Sequence, residues 1–166
     1  MTPVADEALF RTVMGSFPTG VAVVAARSKG GDPCGLTVNS LTSVSLRPLL
    51  LLVCLDESSE TRAVVLESGS FAVNILRAGA EVVSNAFSRG GREHRFRTLP
   101  WREEVTGSPV FDDAVAWVDC RVEQAHLAGD HVIIVGRVQA CGLHGGAPLV
   151  YLQGRYRQLN EPEALG

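Results

Sequence analysis

Residues 114–143, AVAWVDCRVEQAHLAGDHVIIVGRVQACGL, constrain the fold more than any other part of the chain. Two long runs rich in Val, Ile and Ala flank the tripeptide Ala128-Gly129-Asp130, which reads as a turn. So short a connection reverses the chain and pairs the runs antiparallel, because parallel neighbours need a crossover of about a dozen residues or more. The rest of the chain fits this start. TGVAVVAA (Thr19–Ala26) reads as a buried strand, CGLTVNS as a second, and LLLLVCLD after Pro48 as a third, fully buried one. SFAVNIL (Ser70–Leu76) is a fourth, and a final strand carries PLVYLQGRYRQL. Helices are few and short. Asp6 caps one with Leu9, Phe10, Val13 and Met14 on a single face. Ser58 or Ser59 caps another that Gly69 stops, and Ala80–Ser88 fits a third. SRGGREHRFR reads as a polar loop. Strands that follow one another directly predict a mainly β fold, an antiparallel barrel with a few peripheral helices, and not a doubly wound parallel sheet.

The chain has 166 residues, 46% of them apolar, which predicts one domain over 1–166 with a sizeable core. A net charge of −3 without a basic block argues against a nucleic-acid partner. The longest apolar run, Leu49–Leu55, is far short of the roughly 20 residues that cross a membrane as a helix, and no signal peptide is visible. The expected compartment is the cytoplasm. Cys34, Cys54, Cys120 and Cys141 form no CxxC pair and have no His at ligand spacing, so they read as buried reduced thiols and no metal is expected.

Neither common nucleotide fingerprint is present: there is no GxGxxG after a strand and no GxxxxGK[ST]. What stands out is GLTVNSLTSVSLRP (Gly35–Pro48). It holds Thr37, Asn39, Ser40, Thr42, Ser43 and Ser45 and no charge before Arg47. Hydroxyls, an amide and backbone N–H groups suit a flat, neutral, polar heterocycle. The alternative is a crossover whose hydroxyls satisfy their own backbone. Around ESSETR, hydroxyls at a helix start either hold phosphate or simply cap the helix. His131 follows the hairpin turn beside Asp130.

Taken in order, LFRTVMGSFPTGVAVV, GLTVNSLTSVSLRPLLLLVCLD, SSET, GSFAVNIL, VVSNAF, GSPVFDDAVAWVDCRV, AGDHVIIVGRV and PLVYLQGRYRQL resemble the flavin reductase-like family. These are the small reductase components of two-component flavin-dependent monooxygenases. The resemblance covers roughly residues 9 to 159. It implies a split β-barrel of the FMN-binding type and a homodimer. It also implies NAD(P)H-dependent reduction of FMN or FAD, which leaves for a partner monooxygenase. Carried over, it puts Thr37, Val38, Asn39 and Ser40 along the isoalloxazine, with Asn39 as a buried amide and Ser43 and Ser45 nearby. Cys54 and Asp56 end the strand leading to the phosphates, which Ser59 and Thr61 hold. Phe87, Arg89 and Phe96 fall where the family closes over the flavin tail. His131, as the catalytic or positioning residue, and Tyr151 face the NADH or NADPH. A flavin-binding or redox-sensing barrel without turnover is the alternative reading of the same residues.

Overall fold

The computed structural model describes residues 5–88 and 94–159. In chain order the elements are α1 (Glu7–Gly15), β1 (Thr19–Gly20), β2 (Ala22–Arg27), β3 (Pro33–Val38), β4 (Thr42–Leu46), β5 (Leu49–Asp56), α2 (Glu60–Ser68), β6 (Ser70–Leu76), α3 (Glu81–Ser88) and α4 (His94–Thr98). Then come β7 (Trp101–Glu103), β8 (Pro109–Phe111), β9 (Ala114–Ala128), β10 (His131–Leu143), β11 (Val150–Leu152) and β12 (Arg155–Arg157). Seven strands form one antiparallel sheet in the order β3-β2-β6-β9-β10-β5-β4. The hairpin turn falls where the sequence predicts it, with His131 opposite Ala128.

The chain passes from one edge of this sheet to the other in three residues, Asn39-Ser40-Leu41. Laid flat, seven strands about 4.8 Å apart would separate their edges by roughly 29 Å. The four Cα steps from Val38 to Thr42 reach roughly 14 Å at most. The sheet must therefore roll until its edges nearly meet, and β-bulges at Glu123 in β9 and Gln139 in β10 add the bend. β3 and β4 do not pair with each other, so the barrel stays split along that seam. Ser40 staples the crossing to β5: its hydroxyl donates to the Cys54 carbonyl at 2.9 Å and accepts from the Cys54 N–H at 3.0 Å.

Alternation on β2 explains its unbroken apolar sequence. Ala22, Val24 and Ala26 enter the barrel interior with Val53, Leu55, Phe71 and Ile134. Val21, Val23 and Ala25 face outward into a second cluster with Phe87, Phe96, Phe111 and Leu149. Both faces of this strand are covered, as continuous apolar runs require. α2 adds Val64 and Val65 to the interior, starts on the Ser59 cap and ends at Gly69, whose φ of 71° is open to glycine at little steric cost. At Gly136 the β10 backbone passes so close to Phe71 that an added Cβ would lie 2.5 Å from its ring.

Five sequence expectations need correction. β5 is not fully buried: Leu51, Val53 and Leu55 point into the core, while Leu50, Leu52 and Cys54 remain partly exposed because their face lies toward the seam. The hydroxyl stretch contains an edge strand, β4, which pairs with β5. The final strand is two, β11 and β12, reversed at Gln153 and Gly154, both with positive φ. His94–Thr98 is a short helix within the stretch read as a loop. Cys141 is exposed, unlike Cys34 and Cys120, which are buried.

Replacing Ser40 by Ala removes the staple and leaves the Cys54 N–H without its partner. The expected cost is about 1 kcal/mol, read as a Tm lower by roughly 2–4 °C in a thermal melt. An unchanged Tm would mean the crossing is held by other contacts.

Candidate flavin cleft

The seam opens into a cleft of about 670 Å³. One wall is the crossover itself, from Val38 to Thr42. The others come from Leu52 and Cys54 of β5, the β1–β2 segment with Thr19, Val21 and Ala22, Ile75 of β6, and Met14 and Phe17 at the end of α1. Among the described residues, no side chain that lines the cleft carries a charge. A smaller cavity of about 250 Å³ lies on the other side of Val21, Val38 and Asn39, between β3, α3, β11 and β12.

Each residue of the crossover has a distinct task. The Thr37 hydroxyl donates to the Ser84 carbonyl at 2.7 Å and ties β3 to α3. Val38 is buried in the barrel. Asn39 lines both cavities, and its carboxamide is exposed with no partner among the described residues. The sequence expectation of a buried amide is corrected accordingly: the turn between the two edges points the side chain outward into the cleft mouth. Ser40 is the staple to β5. Ser43 and Ser45 line neither cavity. They lie on β4, and the Ser45 hydroxyl accepts from the Arg47 N–H at 3.1 Å. Cys54 faces the cleft, and burial pushes its thiol pKa up, which keeps it a neutral group there.

Two residues on from Cys54, the Asp56 carboxylate accepts from the Ser58 N–H at 2.8 Å and from the Ser58 hydroxyl at 2.6 Å. These bonds, with a smaller contribution from nearby His131, hold its pKa below the ordinary aspartate range. Ser59 is the N-cap of α2 and accepts from the Arg62 N–H at 3.4 Å. Thr61, the second residue of α2, is buried. His131 sits opposite Asp56 across the β5–β10 ladder. Its Nδ1 lies 2.7 Å from Asp130 Oδ1, although the two residues are adjacent on the chain. That bond, chiefly, lowers the Asp130 pKa, and it fixes which ring nitrogen is engaged, leaving Nε2 outward. His131 lines neither cavity in the single chain.

Phe87 and Phe96 are core residues. Their rings meet edge-on at 5.1 Å, and both contact Phe111. Neither lines a cavity, so what they do for the cleft is to seat α3 on the barrel. Arg89 lies outside the described residues. Tyr151 lines the smaller cavity, its ring 5.4 Å from that of Tyr156. Sequence reasoning missed Met14, Phe17 and Thr19 on one side and Ser84, Asn85, Ser88 and Tyr156 on the other. Uncharged polar residues on the otherwise apolar helix VVSNAF were the visible signal for Ser84 and Asn85.

The arrangement tests well against a flavin ring. A flat, uncharged tricycle with carbonyl and N–H edges needs apolar walls, a few amide and hydroxyl partners, and no fixed charge. The cleft has that composition, and Asn39 presents a free donor and a free acceptor at its mouth.

Comparison with known proteins agrees. Residues 14–160 match the flavin reductase like domain. The chain is 45% identical over 151 residues to a Rhizobium meliloti protein named "Probable flavin reductase", covering 91% of this chain and 48% of that protein. It is 40% identical over 151 residues to the stachydrine N-demethylase reductase subunit of the same organism, covering 91% and 65%. It thus spans about half to two thirds of the length of these curated relatives. Among solved structures, an NADH:FAD oxidoreductase of Streptomyces globisporus superposes with a TM-score of 0.89 at 32% identity, covering 97% of this chain and 98% of that one. That protein is also known in complex with NAD and FAD fragments.

In the variant His131→Ala the Asp130 carboxyl loses its hydrogen bond to the imidazole. Its pKa should rise toward the ordinary aspartate range, as followed by carboxyl-carbon NMR titration. An Asp130 titration that does not move would place the imidazole away from the carboxylate in solution.

Proposed function

The chain belongs to the flavin reductase-like family, and from that premise we propose that it is an NAD(P)H-dependent flavin reductase that supplies reduced FMN or FAD to a partner monooxygenase. The observation that carries this reading is the uncharged cleft built on the crossover, with the unpartnered Asn39 at its mouth. When bound, the flavin supplies the acceptor for a hydride from the reduced nicotinamide. The protein's own work is to hold the two rings together. Val38, Asn39 and Ser40 form the wall along the flavin, with Cys54 across from them, while Thr37 ties β3 to α3 behind that wall. Ser59 and Thr61 at the start of α2, below Asp56, are the phosphate end. His131, held by Asp130, positions the dinucleotide with Tyr151, and no side chain of the cleft is required as an acid or base in the hydride step. The expected compartment is the cytoplasm, and no described helix is long and apolar enough to cross a membrane.

The reading includes a homodimer. α1 buries none of its residues, and Phe10, Val13, Met14 and the following Phe17 are each more than half exposed. Met14 and Phe17 also line the cleft. A contiguous apolar face of this kind marks an interface, and a second copy laid on it would cover Met14 and Phe17 at the edge of the cleft.

Steady-state assays with FMN, FAD and riboflavin should show oxidation of NADH or NADPH that depends on added flavin. Flavin binding without any dinucleotide oxidation would leave a binding or sensing protein instead. Sedimentation at micromolar concentration should give a dimer, and Phe10→Glu with Val13→Glu should shift it toward monomer. A wild-type monomer under those conditions would contradict this interface.

A further inference from the structure

A third cavity, of about 360 Å³, opens at the other end of β2 from the flavin cleft. Ala22 lines the cleft and Arg27 lines this pocket, with roughly 17 Å of strand between them. Its walls are the β2–β3 turn, the junction of α2 with β6, and the segment 106–108 between β7 and β8. Among the described residues it is lined only by hydroxyls, glycines and two cations, Arg27 and Lys29.

Ser70 stands on the outer face of β6, since Phe71 beside it points into the barrel. It is 7% exposed and lines the pocket, yet its hydroxyl has no partner among the described residues. A hydroxyl so deeply buried normally has one. Arg27 is folded back on its own turn: Nε donates to the Gly31 carbonyl at 2.9 Å and Nη1 meets Glu103, which leaves Nη2. A Cβ on Gly31, whose φ is 92°, would lie 3.1 Å from that nitrogen, so glycine makes room for the guanidinium. Lys29 meets Glu67 at 3.6 Å with both side chains exposed, a contact of little strength. On the 106–108 wall, the buried Asp119 carboxylate accepts from the Thr106 N–H at 2.7 Å and from the Thr106 hydroxyl. With the Thr106 proton engaged there, the Ser108 hydroxyl, 2.8 Å away, donates to Thr106 Oγ1 and keeps its lone pairs for the pocket.

The donors left over are the Arg27 and Lys29 nitrogens and the hydroxyls of Ser70 and Ser28; the Ser28 hydroxyl accepts from the Asp32 N–H at 3.2 Å and has its own proton free. The acceptors left over are Ser108 and Ser68, whose hydroxyl donates to the Ser70 carbonyl at 3.2 Å. A phosphate suits the first set, because charge-assisted bonds are the strong ones. Alcohol groups suit the second. The C-terminal end of α2 opposes an anion with the equivalent of roughly half a negative charge, which two full positive charges outweigh. Glu67 and Glu103 lie outside the lining.

We propose that this pocket binds a phosphate monoester of a small hydroxylated compound, with Arg27, Lys29 and Ser70 holding the phosphate. The site is separate from the start of α2, the end assigned above to the flavin phosphate, by a helix length of roughly 14 Å.

Isothermal titration of the full chain with glycerol 3-phosphate, inorganic phosphate and glycerol, each with and without saturating FMN, tests this. One ester should bind per chain, at least about fivefold tighter than inorganic phosphate, and FMN should leave its affinity within about twofold. Glycerol alone should show no measurable binding. Lys29→Gln, at an exposed turn, and Ser70→Ala, which removes only the unpartnered hydroxyl, should each weaken the ester about five- to tenfold and leave FMN affinity as in wild type. Displacement of the ester by FMN would put it at the flavin's phosphate end and overturn the proposal. So would ester binding that neither variant weakens, inorganic phosphate binding as tightly as the ester, or no saturable binding at millimolar concentration. If FMN itself does not bind, the flavin reading fails, while the ester titrations still decide this site.

Discussion

Three residues must join the two outer strands of a seven-stranded sheet, and the rest of the structure follows from that. Asn39-Ser40-Leu41 is too short to cross a flat sheet, so the sheet rolls. The roll makes an interior for Val24, Val53, Phe71 and Ile134. It stops short of closure, since β3 and β4 are brought side by side without pairing, and the gap between them is the cleft. The same short segment thus sets the barrel's curvature and furnishes the wall of its opening. Ser40 shows how the two are combined: its hydroxyl replaces, at Cys54, the ladder bonds that a neighbouring strand would have made.

Charge is kept out of this region and concentrated elsewhere. Ion pairs such as Arg102 with Asp112 and Glu104, or Arg137 with Glu123, lie away from the residues that line the two cavities. A fixed charge beside a ring that gains electrons would bias its redox state, and a charged side chain in a partly desolvated cleft carries its own penalty. Cys54 fits this pattern, since partial burial favours its neutral thiol. Asp56, Asp130 and His131 gather at the hairpin mouth, beside the end of β5. There, hydrogen bonds from Ser58 and His131 hold the two carboxylates ionised.

Local patterns were legible in the sequence, and assemblies of distant segments were not. The β9–β10 hairpin, the Ser59 cap, the Gly69 stop and the apolar strands β2, β5 and β6 follow from periodicity and turn residues that lie close together. Of the uncharged stretch Thr37–Ser45, Val38 to Thr42 line the cleft, and Thr37, Ser43 and Ser45 lie outside it. Its edge strand β4 escaped because TSVSL alternates hydroxyls with exposed apolar residues and buries nothing to reveal a strand. Phe87 and Phe96 resembled ligand contacts in sequence and proved to be core, because only the fold brings Phe111 against both. The smaller cavity draws on β3, α3, β11 and β12, with Thr37 and Tyr156 lying 119 residues apart, and no local signal announces it. Asn39 was singled out correctly as a polar member of the stretch, but its exposure depends on the turn between two sheet edges that are far apart until the barrel rolls.

The central claim is that the crossover between the sheet edges is the flavin-binding wall. Hydrogen exchange of the backbone amides of residues 37–42, measured with and without saturating FMN, tests it most directly. The account predicts clearly slowed exchange across this segment and at Cys54, with little change at the far end of the β9–β10 hairpin around residues 116–120 and 138–143. Exchange at 37–42 that is unaffected by bound FMN would contradict it.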